Sequence, residues 1–254
     1  MTGSTLEVTF TPADFSALEE RDLSDVVCVV FDVLRATSSM ITALANGALA
    51  VFPVSQISEA LAIHNKNPDV LLAGERDGVR IMSDLTGTIP FHLGNSPREF
   101  TRNVVQGRSI AMTTTNGTRA LRACARAWSV LVCSFLNMSP TANLLRSELP
   151  RHLILVCSGT FEQVAFEDVL AAGALCELLW DHYADGDRAD SAEMARNLFR
   201  QERADLQAAI GRSRNGRRLL ANPDLSADVP FCLQQDKFNL VAELDPNGAV
   251  RKRR

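Results

Sequence analysis

LVCSGTFEQVAFEDVLAAGAL, from Leu155 to Leu175, reads as an apolar strand, a short polar turn carrying Ser158 and Gly159, and a small-residue helix entered through the acidic pair Glu167 and Asp168. An earlier segment, CVVFDVLRATSSMITALANGA from Cys28 to Ala48, follows the same plan. Setting Asp32 against Ser158 brings Leu44, Ala45, Gly47 and Ala48 opposite Leu170, Ala171, Gly173 and Ala174 without a gap. Such a match points to a duplicated unit, which would govern the whole architecture.

Outward from these segments, strand and helix patterns alternate. Val26–Phe31 is a continuous apolar run rich in valine, the pattern of a strand buried on both faces. Further strands are expected at Leu6–Phe10, Val51–Val54, Val70–Ala73, Ser109–Met112, Val130–Cys133 and Leu153–Cys157. Helices are expected near 38–49, 58–66, 119–127, 137–148 and 166–183, with two solvent-facing helices in the charged stretch 185–218. This alternation predicts an α/β fold with a mostly parallel sheet covered by helices. Residues 74–97 form a long Gly-, Asp-, Thr- and Pro-rich loop, ending in a capping box at Ser96, Pro97 and Glu99.

The chain has 254 residues, a length that suits one compact unit or two tightly joined subdomains, divided near residue 120 into about 1–120 and 121–254. A formal charge of −4 gives no footing for nucleic acid, and the basic end Arg251-Lys252-Arg253-Arg254 is read as a solvated, frayed tail. Six cysteines without a C-x-x-C pair fit a reducing, cytoplasmic setting rather than a disulfide framework. No signal peptide is expected, and no apolar stretch is long enough to span a bilayer.

In open α/β sheets ligands bind beyond the carboxyl ends of the strands. Four polar turns fall at such ends: DVLRAT after Phe31, GERDG after Ala73, TTTNGT after Met112 and SGTFEQVAFED after Cys157. Together they supply Arg35 and Arg76, several hydroxyls, and the carboxylates Asp32, Glu75, Glu167 and Asp168. This mixture suits an anionic substrate held beside a divalent cation. In TTTNGT, backbone N–H groups and the hydroxyls of Thr114, Thr115 and Thr118 can meet a phosphate at a helix mouth, although Asn116-Gly117 is also an ordinary turn signal. Asp32 can coordinate Mg²⁺, attack phosphorus, or simply cap a helix. Glu167 and Asp168 are adjacent, so their side chains diverge by about 100° on a helix and only one is expected to face a site easily.

FDVLRAT, GER, LGNSP, TTTNGT and EDVLAAGA, in this order and at these separations, resemble the 2-phosphosulfolactate phosphatase family. The resemblance is strong from Val26 to Gly173 and continues weakly through SRNGRRLL and DVPFCLQQD. It implies a three-layer α/β/α fold of two similar subdomains related by duplication. The implied activity is that of a Mg²⁺-dependent acid phosphatase cleaving (R)-2-phospho-3-sulfolactate to sulfolactate and phosphate, a step towards coenzyme M. The family's motif positions fall on Asp32, Arg35, Thr37, Gly74, Glu75, Arg76, Gly94, Asn95, Ser96, Thr114, Thr115, Asn116, Gly117, Thr118, Gly159, Glu167, Asp168 and Gly173. Ser38-Ser39 replace the family's usual pair of threonines, and His92 stands where the family tends to have Asp.

The expected site therefore has Asp32, Arg35, Glu75 and Asp168 as catalytic groups, with Mg²⁺ held among Asp32, Glu75, Glu167 and Asp168. Arg76, Asn95, Ser96, Thr114–Thr118, Ser158 and Gly159 would bind the substrate, a small anionic phosphoester. The alternatives are a phosphatase for another such ester and a non-catalytic binder of phosphorylated metabolites. The sequence leaves assembly into a homo-oligomer open.

Overall fold

The computed structural model describes residues 3–253. Eleven strands among them form one mixed sheet: β1 (Thr5–Thr9), β2 (Val26–Phe31), β3 (Ala50–Pro53), β4 (Leu71–Arg76), β5 (Val79–Arg80), β6 (Ser109–Thr113), β7 (Ser129–Cys133), β8 (His152–Cys157), β9 (Asp187–Arg188), β10 (Ala242–Leu244) and β11 (Val250–Lys252). Their order is β5-β4-β6-β3-β11-β10-β7-β2-β8-β1-β9. One parallel block, β7-β2-β8-β1-β9, and another, β4-β6-β3, are joined by the antiparallel β10-β11 hairpin. Both edges, β5 and β9, are only two residues long, which limits edge-to-edge pairing.

β2 carries the packing logic of the molecule. Every residue of VVCVVF is buried, and successive side chains point to opposite faces. Val27, Val29 and Phe31 pack with the Met138–Glu148 and Phe166–Leu179 helices, while Cys28 and Val30 pack with the Ala36–Ala45 helix. The result is three layers, helix on sheet on helix. Each fully buried Val or Phe contributes about 1.5–3 kcal/mol, so one such strand anchors both layers.

Across the hairpin the two parallel blocks run in opposite senses, yet loops from both reach one site. Six strand-to-strand steps separate β2 from β4. At about 20–25° of twist per step the sheet turns through about 120–150°, enough to swing the end of β4 towards that of β2.

The expected pair of duplicated subdomains is not shown by this topology. β2 and β8 are direct neighbours, with Phe31 paired to Cys157, but their following helices lie on opposite faces. β2 also sits between β7 and β8, so strands from before and after residue 120 interleave. The aligned glycines do different jobs: Gly47 follows its helix with φ +95°, whereas a Cβ on Gly173 would meet the Ala195 carbonyl oxygen at 2.1 Å, where two helices cross.

Three local expectations change. The basic end is a strand rather than a frayed tail: Val250 pairs with Val51, and Arg253 Nη2 reaches Glu148 Oε1 at 2.6 Å, while Arg254 lies outside the described residues. The long loop begins later than expected, because β4 runs on to Arg76 and turns into β5. The 185–218 region folds as three helices, Asp190–Glu202, Leu206–Gly211 and Arg214–Leu220, whose Ala192, Ala195, Leu206, Ala209, Ile210 and Leu219 are buried.

Candidate active site

Asp32 follows β2 directly and is held from several directions. Its N–H donates to Thr37 Oγ1 (3.1 Å), whose hydroxyl returns a bond to Asp32 O (2.9 Å). Its Oδ1 accepts the Ala36 N–H (3.0 Å), at the start of the Ala36–Ala45 helix. Capping and site-lining are thus the same act. Oδ2 receives no hydrogen bond among the described residues and faces Gly117, where a Cβ would come within 2.7 Å of it.

Glu167 and Asp168 both line the same pocket, against the expectation that only one would. The pocket meets the Phe166–Leu179 helix end-on at its first turn, so divergent side chains can both reach it. Asp168 Oδ1 accepts the Val33 N–H (2.8 Å) and Oδ2 the Gly159 N–H (3.2 Å). Glu167 Oε1 accepts from Asn215 Nδ2 at 2.5 Å, while its buried Oε2 has no partner among the described residues.

Glu75 enters from β4. Its Oε1 accepts both the N–H and the hydroxyl of Thr115 (2.9 Å each), and its Oε2 the Gly78 N–H (2.7 Å). The mouth of the Gly117–Ala123 helix therefore already faces a carboxylate. Arg76 does not line the pocket; it donates to Glu75 O (2.7 Å) and Thr113 Oγ1 (3.1 Å). Adjacent strand residues point to opposite sides, so a Glu75 aimed at the site turns Arg76 away.

Arg35 lines the pocket and is buried. Its Nη1 pairs with Asp228 Oδ2 at 2.8 Å and its Nη2 donates to Gly78 O at 2.9 Å. Asp228 also accepts from Ser96 Oγ (2.6 Å) and Arg98 Nε (2.8 Å). Hence the expected capping box does not form: the Ser96 hydroxyl goes to Asp228, and Glu99 Oε2 takes the Gly94 N–H (2.9 Å).

Of the residues expected at the site, Asp32, Arg35, Glu75, Asn95, Thr114, Thr115, Asn116, Gly159, Glu167 and Asp168 line one pocket. Ser96, Gly117, Thr118 and Ser158 stand behind it; the Thr118 hydroxyl is spent on Thr114 O (3.1 Å). His92 is exposed and accepts the Leu72 N–H (3.0 Å), so its departure from the family pattern does not touch the pocket. Asp77, Thr160, Phe161, Asn215 and Arg218 also line it, and Asp228 braces it. Asn215, Arg218 and Asp228 lie in SRNGRRLL and DVPFCLQQD, and these weak motifs were the available signal.

Packing four carboxylates together has an electrostatic consequence. Burial, followed by the charges of Glu75 and Glu167, pushes Asp32 up from 3.8 to about 7 against the Ala36 N–H and Arg35, which favour its ionised form. Burial and then the Asp32 and Glu167 carboxylates raise Asp168 well above its usual range. Glu167 is raised by burial, with Asn215 opposing. Buried side-chain atoms without partners among the described residues also collect here: Asn95 Oδ1, Thr114 Oγ1, Ser158 Oγ and Glu167 Oε2. Among the described residues no three acidic, His or Cys side chains gather as a ready-made metal cage.

Residues 14–247 match the model of the family described as 2-phosphosulpholactate phosphatase. The chain belongs to that family.

The 2-phosphosulpholactate phosphatase match takes in every strand and loop that forms the pocket. The chain is similar to the probable 2-phosphosulfolactate phosphatase of Caldanaerobacter subterraneus subsp. tengcongensis, 38% identical over 240 residues, which cover 93% of this chain and 95% of that one. That of Pseudothermotoga lettingae is 39% identical over 216 residues, 85% of this chain and 88% of that one. That of Clostridium acetobutylicum is 31% identical over 234 residues, 92% and 95%. The family is named for the hydrolysis of a phosphoric monoester. No helix among the described residues is long and apolar enough to cross a membrane.

Proposed function

We propose that this protein is a Mg²⁺-dependent phosphatase that hydrolyses (R)-2-phospho-3-sulfolactate to sulfolactate and inorganic phosphate, as on a route to coenzyme M. The observation that carries the reading is one pocket holding Asp32, Glu167 and Asp168 beside Arg35, within a chain of this family. A carboxylate cluster alone would repel a phosphate, so it calls for a cation.

The donor set fits Mg²⁺. That ion takes oxygen ligands and is commonly held by one or two carboxylates together with waters and substrate phosphates. Glu75 and Asp168 spend both their oxygens on N–H or O–H donors, whereas Asp32 Oδ2 and Glu167 Oε2 receive none among the described residues. Asp32 and Glu167 would hold the ion, with Asp168 and Glu75 bracing the loops around them. When bound, Mg²⁺ supplies Lewis-acid neutralisation of phosphate charge.

The remaining work falls to the chain. Phosphoryl transfer needs positioning and charge stabilisation above all. Arg35, immobilised by Asp228 and Gly78 O, presents a fixed guanidinium to phosphate oxygens. The Thr114 hydroxyl and the Asn95 amide oxygen, both without partners among the described residues, orient the ester and the attacking group. Burial of these groups keeps the local dielectric low and strengthens each contact. The reading places the enzyme in the cytoplasm; six free, buried cysteines support a reducing compartment.

A panel of phosphorylated hydroxy acids, assayed for phosphate release with Mg²⁺, tests the substrate. Clear preference for the sulfonated ester supports the reading. Equal turnover of unsulfonated esters would make it a phosphatase of another specificity, and no release from any would make it a binder.

A further inference from the structure

Two arginines flank Gly78 and are held differently. Arg35 donates Nη2 to the Gly78 carbonyl and its charge is answered by buried Asp228. Arg218, from the Arg214–Leu220 helix, lies over the same residue: a Cβ on Gly78 would stand 2.7 Å from Arg218 Nη2. Gly78 has φ +80°, a backbone conformation that favours glycine, and the Arg218 guanidinium lies in the space that a side chain there would enter. Arg218 lines the pocket, is exposed, and makes no ion pair among the described residues.

The helix that brings Arg218 is tied to the acidic side of the pocket. Asn215, three residues earlier on the same face, donates to Thr160 Oγ1 (2.8 Å) and Glu167 Oε1 (2.5 Å). The interior is rich in carboxylates, which oppose a further negative group. An additional anion on the substrate is therefore best met at the mouth, by a cation without a partner of its own.

Resting on the phosphatase reading above, we propose that Arg218 is the specificity-determining residue: of the two anionic groups of the phosphoester that are not transferred, carboxylate and sulfonate, it receives the sulfonate, while Arg35 serves the phosphate. A sulfonate offers three weakly basic oxygens, and a guanidinium can fork onto two of them. Arg35 has less to offer a second anion, because Asp228 and Gly78 O already take one N–H from each of its two terminal nitrogens.

The test is calorimetric binding of 3-sulfolactate and, separately, of inorganic phosphate, with Mg²⁺ present, to the wild type, Arg218→Ala and Arg218→Lys. Loss of a charge-assisted contact predicts that Arg218→Ala weakens sulfolactate binding about ten- to a hundredfold and leaves phosphate affinity within about twofold. Arg218→Lys should recover part of the loss. Equal weakening of both ligands, unchanged sulfolactate binding, or a wild type that binds no sulfolactate would overturn the assignment. A wild type that binds sulfolactate yet releases no phosphate from its phosphoester would defeat the hydrolytic reading and leave Arg218's role standing.

Discussion

Arg35 Nη1 and Asp228 Oδ2 stand 2.8 Å apart with both side chains buried, although the residues are 193 positions apart in the chain. Ser96 and Arg98 bond the other oxygen of the same carboxylate. One aspartate near the C-terminus thus ties the loop after β2, the LGNSP segment and, through Arg35, the Gly78 turn into one wall.

Asp228→Ala should therefore destabilise the fold and disable the pocket together. Removing one partner of a buried pair strands the other charge, at about 3–5 kcal/mol. Arg98→Ala, at a side chain 40% exposed, should cost less than about 1 kcal/mol. Urea unfolding of the two variants checks the contrast, and comparable losses would mean that Asp228 matters for packing alone.

The acidic cluster predicts a pH dependence of stability in the metal-free protein. Folding raises Asp32 from 3.8 to about 7, so in that window the folded chain keeps a proton the unfolded chain has lost. Stability then falls as pH rises through the window and stays lower above it. With EDTA present, thermal melting should drop from about pH 5 to about pH 8, and Asp32→Asn should show a smaller drop. An equally steep decline in the variant would remove Asp32 as a source.

Gly117→Ala places a methyl group 2.7 Å from both Asp32 Oδ2 and the Ala36 side chain. A displacement of about 1 Å at a reacting group can cost a hundredfold, so turnover should fall by about that factor with the fold retained. Steady-state kinetics beside circular dichroism decides it; unchanged turnover would mean that Asp32 Oδ2 has no part in the chemistry.

Much of this was legible in the sequence because it was local. VVCVVF is a strand over the expected residues, since a six-residue run dominated by β-branched valine is too short for a core helix and suits a strand buried on both faces. Asp32 follows β2, Glu75 lies at the end of β4, and Asp168 enters the helix after the loop that follows β8, so all three are found by the rule that sites lie beyond strand ends. Arg76 could have been set aside from strand alternation alone, given Glu75. Asp228 and Arg218 could not be placed, because what aligns them with Arg35 and Gly78 is tertiary packing of a charged, weakly patterned segment. The β10-β11 hairpin was missed for a related reason: a three-residue strand ending in Arg251-Lys252 has too little apolar pattern to announce itself, although it joins the two halves of the sheet.

If Asp32 and its neighbours cleave a phosphoester with the help of Mg²⁺, removing either should abolish phosphate release. The most direct measurement is phosphate release from 2-phosphosulfolactate by the purified protein and by Asp32→Asn, each with Mg²⁺ and with EDTA. The wild type should release phosphate with Mg²⁺ and lose that activity with EDTA, and the variant should fall by at least about a hundredfold. Near-normal release by Asp32→Asn with Mg²⁺ would contradict it.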